Sequence, residues 1–236
     1  LKQNKDDYLK SIGLGGEWFF NNQDEHFLYY EYNYLEKTHP NENHSLREMG
    51  ALWSIAKLSN FLNDERYDAL AKKGFDYFEK YFVYDKENDF YFVNITPKEI
   101  KLGYSAFIIL TLLEIDHPKK AEYLEKFANG ILFLQNKDGE LNTFFYLNRD
   151  TGKDYYPGEA LVALTSLYKY TKDEKYLNAV NKAFPFYVNY FRKNSNVAFV
   201  PWQTRAYYEL YDVTQNKDVA DFMFEMNDYM LKNNNP

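Results

Sequence analysis

Four stretches of the chain share one order of small and apolar positions closed by Leu: Ala51-Leu52-x-Ser54-Ile55-x-x-Leu58, Ala106-Phe107-x-Ile109-Leu110-x-x-Leu113, Ala160-Leu161-x-Ala163-Leu164-x-x-Leu167 and Gln203-Thr204-x-Ala206-Tyr207-x-x-Leu210. Each is followed, after about nine residues, by a second periodic run that opens at Tyr67, Tyr123, Tyr176 or Val219. Within these runs apolar residues recur at i, i+3, i+4 and i+7, as in Tyr67, Leu70, Ala71, Gly74, Tyr77 and Phe78, or Tyr176, Leu177, Val180, Ala183, Phe184 and Tyr187. That spacing keeps one helix face dry. The pattern predicts four helical hairpins, their second helices starting near Asp64, Lys120, Asp173 and Asn216. The first helices carry more small residues and less charge, so they belong inside. A further segment, roughly Lys5 to Asn22, reads as an unpaired outer helix. Repeats of this step resemble helical arrays, and 236 residues suffice for one core, so residues 1–236 read as a single all-α domain.

The loops ahead of the first helices are aromatic: Phe27, Tyr29, Tyr30, Tyr32 and Tyr34, then Phe90, Tyr91 and Phe92, then Phe144, Phe145 and Tyr146, then Phe199 and Trp202. Turn signals such as Asp138-Gly139 and Thr151-Gly152 suggest short β-hairpin-like arms there. Side-by-side stacking of the hairpins would gather these loops at one rim, as a mouth lined with rings.

Composition narrows the partners. A net charge of −7 repels a phosphate backbone, so nucleic acid is not an expected partner. The absence of Cys excludes disulfides, thiolate metal sites and Cys nucleophiles, and fits either a cytoplasmic or an exported protein. No run of about 18 apolar residues spans a bilayer. The chain opens on Leu1, which fits either an excised piece of a longer sequence or a mature form whose signal peptide has been removed. With Tyr 24, Phe 20 and Trp 3, many rings are amphipathic enough to serve a ligand.

The stretch Asp154-Tyr155-Tyr156-Pro157-Gly158-Glu159-Ala160-Leu161, with Leu167-Tyr168, Lys172-Asp173 and Tyr176-Leu177 after it, resembles a pattern of α/α-toroid (six-hairpin-type) proteins, and so does Arg47-Glu48-Met49-Gly50-Ala51-Leu52. That superfamily includes unsaturated glucuronyl hydrolases, sugar 2-epimerases, the helical domain of glucuronyl C5-epimerases, and terpene cyclases. The resemblance covers roughly residues 40–232 and implies an α/α toroid or, with about four hairpins plus an N-terminal helix, an incomplete helical barrel. It reports fold more than function. The Asp-rich metal motif of the terpene cyclases is missing, and His26, His39, His44 and His117 lie on no inner helix face, unlike the paired His of the 2-epimerases.

Two carboxylates are the candidate catalytic residues. Glu159 follows Pro157 in the first turn of the third inner helix, where free amides favour an anion and hence a base or nucleophile; the same placement also suits a plain helix-dipole role. Glu48 closes Ser45-Leu46-Arg47-Glu48, which equally fits a capping box. Glycoside cleavage takes two carboxyl groups roughly 5 to 9.5 Å apart, and Glu48, Glu31 or Asp154 are the expected companions of Glu159. Arg47 suits a bidentate clamp on an acidic sugar, or a surface ion pair. Tyr30, Tyr32, Tyr91, Tyr146, Tyr156 and Trp202 are expected to stack on or bond sugar rings, with Gln203 and Arg205 as inner-helix polar contacts. His39 and His44 read as surface residues, Gly13-Leu14-Gly15-Gly16 as a helix break, and nothing calls for a cofactor or a metal.

Two functional classes follow. One is a carbohydrate-active enzyme, a hydrolase, lyase or epimerase acting on a polysaccharide or a uronic-acid-containing sugar. The other is a non-catalytic module holding a glycan or a protein on the same surface. Reaction type, linkage and oligomeric state are not written in these patterns.

Overall fold

A computed structural model describes residues 4–233, most of them helical. In chain order the elements are α1 (Lys5–Asn21), α2 (Ser45–Leu62), α3 (Glu65–Glu79), β1 (Phe82–Asp85), β2 (Phe90–Val93), α4 (Leu102–Glu114), α5 (Lys120–Phe133), α6 (Tyr156–Thr171), α7 (Glu174–Lys193), α8 (Val200–Thr214) and α9 (Lys217–Asn233). Contacts group these into two compact units, residues 1–80 and 81–236.

In the first unit α2 packs on α3, with α1 against α2. The glycines expected to break the first helix lie inside α1 instead. Asn4 and Asp7 cap its start reciprocally, and Gly16 is needed for proximity: a Cβ there would fall 2.0 Å from the Tyr67 hydroxyl. Close approach to α3 outweighs the roughly 1 kcal/mol a mid-helix glycine costs.

In the second unit α4 pairs with α5, α6 with α7 and α8 with α9, while α4 packs on α6 and α6 on α8. The first helices thus form a continuous row. Every residue from Leu102 to Leu112 of α4 is buried, as its small and apolar composition predicts. The second helices bury one stripe only, Tyr176, Leu177, Ala179, Val180, Ala183, Tyr187 and Phe191 in α7.

The near-constant spacing within hairpins has a local cause. Asn63, Lys172 and Gln215 end α2, α6 and α8 with φ of 51°, 62° and 54°. The next residue starts the return helix: Asp64, Asp173 and Asn216 accept a hydrogen bond from the main chain of Arg66, Lys175 and Asp218. One left-handed residue reverses the chain and an Asp or Asn side chain replaces a missing helical partner. The α4–α5 connection, which runs through Pro118, lacks this device and is one residue longer in the repeat.

At the other end of the hairpins, β1 and β2 form an antiparallel pair with Phe82 opposite Val93. The remaining extended arms reduce to single bridges, Lys101 to Phe144, Gln135 to Leu141 and, in the first unit, Asn33 to Thr38. The aromatic mouth needs correcting. Phe27, Phe90, Phe92, Phe144, Phe145 and Phe199 are buried, whereas Tyr29, Tyr32, Tyr34 and Tyr146 are exposed. Burying a Phe side chain contributes about 1.5–3 kcal/mol, and Tyr keeps its hydroxyl wet at small loss. The loop phenylalanines are therefore core.

Candidate active site

The starts of α6 and α8 abut. A Cβ on Gly158 would lie 2.7 Å from the Trp202 Cβ and 3.1 Å from the Gln203 main-chain nitrogen. Trp202, half-buried, sets its ring edge-on to Phe107 of α4 at 5.6 Å. Glu159 and Gln203 therefore sit in neighbouring first turns, above a floor that α4 helps to build.

Glu159 is 4% exposed, and its Oε2 meets no hydrogen-bond partner among the described residues. Helix α6 begins at Tyr156, ahead of Pro157, so the Glu159 amide already bonds the Tyr155 carbonyl at 3.1 Å. Burial holds the carboxyl at about 8, against an ordinary 4.5. That rise corresponds to about 5 kcal/mol, whereas a helix N-terminus favours an anion by at most about 2 kcal/mol. Desolvation wins. The expectation of an anion is overturned: Glu159 is a protonated acid near neutral pH.

Gln203 is fully buried, and neither its Oε1 nor its Nε2 has a partner among the described residues. Ser105, fully buried in the first turn of α4, also leaves its Oγ unpartnered there. Each such atom costs about 1–3 kcal/mol, so four on three residues in adjoining helix starts need an explanation other than packing. Ser105 occupies the repeat position of Glu159, one residue ahead of Ala106 and Ala160. That alignment was the signal by which the sequence could have found it.

Tyr156, half-buried, meets Phe144 edge-on at 6.0 Å. Its hydroxyl is pushed up by burial first, then by Glu159 and Glu99, with Arg149 opposing. Glu99 and Arg149 went unnoticed because they sit in aperiodic loops. Main-chain bonds tie those loops together, Leu102 N to Thr143 O and Phe145 N to Ile100 O, both 2.9 Å. The Arg149 guanidinium lies 4.8 Å over the Phe144 ring and donates to the Lys98 carbonyl at 2.7 Å. Glu99 pairs with the buried Lys101 at 3.3 Å.

Other candidates of this unit have structural tasks. Asp154 accepts from the Tyr190 hydroxyl and from Asn196 Nδ2, at 3.2 and 3.0 Å, and so anchors the approach to α8. The Tyr91 hydroxyl donates to Glu122 at 3.3 Å and that of Tyr146 to Asp85, fastening the β1–β2 hairpin. Arg205 is half-buried; burial lowers its pKa, and Glu209 and Glu114 oppose this. These carboxylates draw it along α8 and α4, away from the helix starts.

In the first unit, α2 starts at Ser45 with His44 as its cap, and no side chain closes the cap. The capping box is not formed. Glu48 turns inward instead, 4% exposed, its Oε2 unpartnered among the described residues. Burial raises it to about 7; a hydrogen bond from Asn43 opposes this and Asp24 adds to it. Arg47, exposed, donates to the Tyr30 hydroxyl and lies 5.5 Å over that ring. His39 is no plain surface residue: it stacks on Tyr29 at 3.8 Å and meets Tyr32 at 5.0 Å. Thus Glu159, Tyr156, Trp202 and Gln203 share one unit, and Glu48, Arg47, Tyr30 and Tyr32 the other.

No protein-family model matches the sequence, and no curated protein matches it. Among solved structures it resembles a glycoside hydrolase family 76 mannosidase from Bacteroides thetaiotaomicron VPI-5482, with a TM-score of 0.59 and 16% identity over 75% of this chain and 56% of that one. It also resembles a family 76 glycoside hydrolase from a bovine strain of Bacteroides thetaiotaomicron, with a TM-score of 0.56 and 17% identity over 75% of this chain and 45% of that one. These likenesses show the fold. It is the α/α-toroid fold expected from the Asp154–Leu161 and Arg47–Leu52 stretches. The chain spans about half the length of the structures it matches. Among the described residues no helix is long and apolar enough to cross a membrane.

Proposed function

We propose that the chain belongs to a carbohydrate-active enzyme that hydrolyses glycosidic bonds, with Glu159 as the general acid. The observation that carries this is the buried, protonated Glu159 carboxyl beside the unpartnered amide of Gln203. An acid held neutral near pH 7 protonates a leaving oxygen, and a buried amide with both ends open suits the hydroxyls of a sugar. The two structural neighbours are named as glycoside hydrolases, one of them a mannosidase. Trp202 and Tyr156 are the stacking and bonding groups next to that acid. Glu48, with Arg47, Tyr30 and Tyr32 nearby in sequence, is a second acid of the same kind, and Arg47 the group suited to an acidic sugar.

The test is a screen of α-mannans, uronate-containing polysaccharides and aryl glycosides for release of reducing ends. Glu159→Gln is expected to lower kcat on any substrate found by about 10²–10⁴-fold. Unchanged turnover of that variant on every reacting glycan, with a native circular dichroism spectrum, removes Glu159 from the mechanism.

A further inference from the structure

Both acids named above are buried, and burial raises each of them. Hydrolysis by direct attack of water needs one carboxyl that gives a proton and one carboxylate that takes one, in environments that keep them apart. We infer that Glu99 is the second carboxylate of the Glu159 site, the base for the attacking water; this rests on the hydrolase reading.

The placement is built from contacts within residues 81–236. Glu99 stands on the strap that ends in Lys101 and Leu102, and that strap pairs with the Thr143–Phe145 loop. Phe144 of that loop touches Tyr156, which opens the helix turn carrying Glu159. Tyr156 thus has Glu159 and Glu99 as its two carboxyl neighbours. Their surroundings differ as the chemistry requires. Glu159 is 4% exposed, while the Glu99 side chain is 45% exposed and held by Lys101 Nζ at 3.3 Å. The ion pair orients Glu99, and its exposure lets water reach it. Asp154 cannot serve, because Tyr190 and Asn196 already bond it. The unpartnered Gln203 amide and Ser105 hydroxyl in the adjoining turns mark independently where a polar substrate would be held.

In the step that follows, water oxygen bonds to the anomeric carbon and its proton passes to Glu99. The bond from that carbon to the glycosidic oxygen breaks, its electron pair stays on that oxygen, and Glu159 supplies the proton there. Solvent then restores both groups.

The experiment takes whichever glycan or aryl glycoside the screen shows to react and compares wild type, Glu99→Gln and Glu99→Ala, with sodium azide as the added nucleophile. Expected are a fall in kcat of at least about 100-fold in both variants, KM within about twofold, unchanged melting, and partial recovery of the Ala variant by azide with a glycosyl azide as product. A merely structural Glu99 would give no azide adduct. If the wild type turns over and Glu99→Gln stays within about threefold of it, the hydrolase reading stands and Glu99 loses its role. If the wild type turns over nothing in the panel, both fall.

Discussion

Replacing Glu159 with Gln preserves the shape of a protonated carboxyl and removes only its ability to ionise. In the unfolded chain Glu159 releases its proton near 4.5, whereas the folded chain retains it to about 8. Below pH 4.5 both states hold the proton and the group costs nothing. Between 4.5 and 8 only the unfolded state loses it, so wild-type stability falls by about 1.36 kcal/mol per pH unit. The deficit is about 3.4 kcal/mol at pH 7 and levels off near 5 kcal/mol above pH 8. Glu159→Gln is therefore expected to match wild type at pH 4 and to exceed it progressively above. At pH 7 the gain is roughly 7–14 °C in Tm for a chain of this size. Thermal melts of both proteins from pH 4 to 9, followed by circular dichroism, measure it. A Tm difference that stays flat across this range would mean that Glu159 is ionised in the fold, and the acid assignment would be lost with it.

Glu48→Gln should show the same trend with a smaller ceiling, levelling off near pH 7, because burial raises Glu48 less far. Within α1, Gly13→Ala and Gly16→Ala should act in opposite directions. The first meets open space and should gain about 0.5–1 kcal/mol; the second strikes Tyr67 and should lose about 1–3 kcal/mol by urea denaturation. Asp173→Ala should cost about 1 kcal/mol through the lost cap, and Lys172→Gly should gain about 0.5–1 kcal/mol by relieving a left-handed residue that carries a side chain. If Lys172→Gly destabilises, the turn is not strained and the explanation of the repeat spacing is wrong.

The hairpins were legible because periodicity reports burial directly. Leu58 and Tyr67, or Leu167 and Tyr176, could hold their spacing only if a short fixed turn lay between them. The glycines of α1 misled, because Gly16 answers to the hydroxyl of Tyr67, a residue far off in sequence. Glu159 was found by its position in a helix start, but its charge state was misjudged. That state depends on neighbours α6 acquires only by packing on α4 and α8. Ser45 and Glu48 matched the capping box letter for letter, yet His44 took the cap position and Glu48 went into the core. Glu99 and Arg149 lay beyond reach, since loop residues follow no period and meet Tyr156 only through the paired straps.

The two-residue turns bear on how this chain comes into being. Each of these hairpins closes over Asn63-Asp64, Lys172-Asp173 or Gln215-Asn216, so the loop entropy of pairing its helices is small. Such local contacts favour rapid folding. During synthesis a hairpin can close once its second helix has left the ribosome, and α6–α7 then offers α8–α9 a finished face. The aromatic straps follow another timetable: Phe144 has no Tyr156 to lean on until the next hairpin begins, so the surface proposed for chemistry is the last part of each step to set.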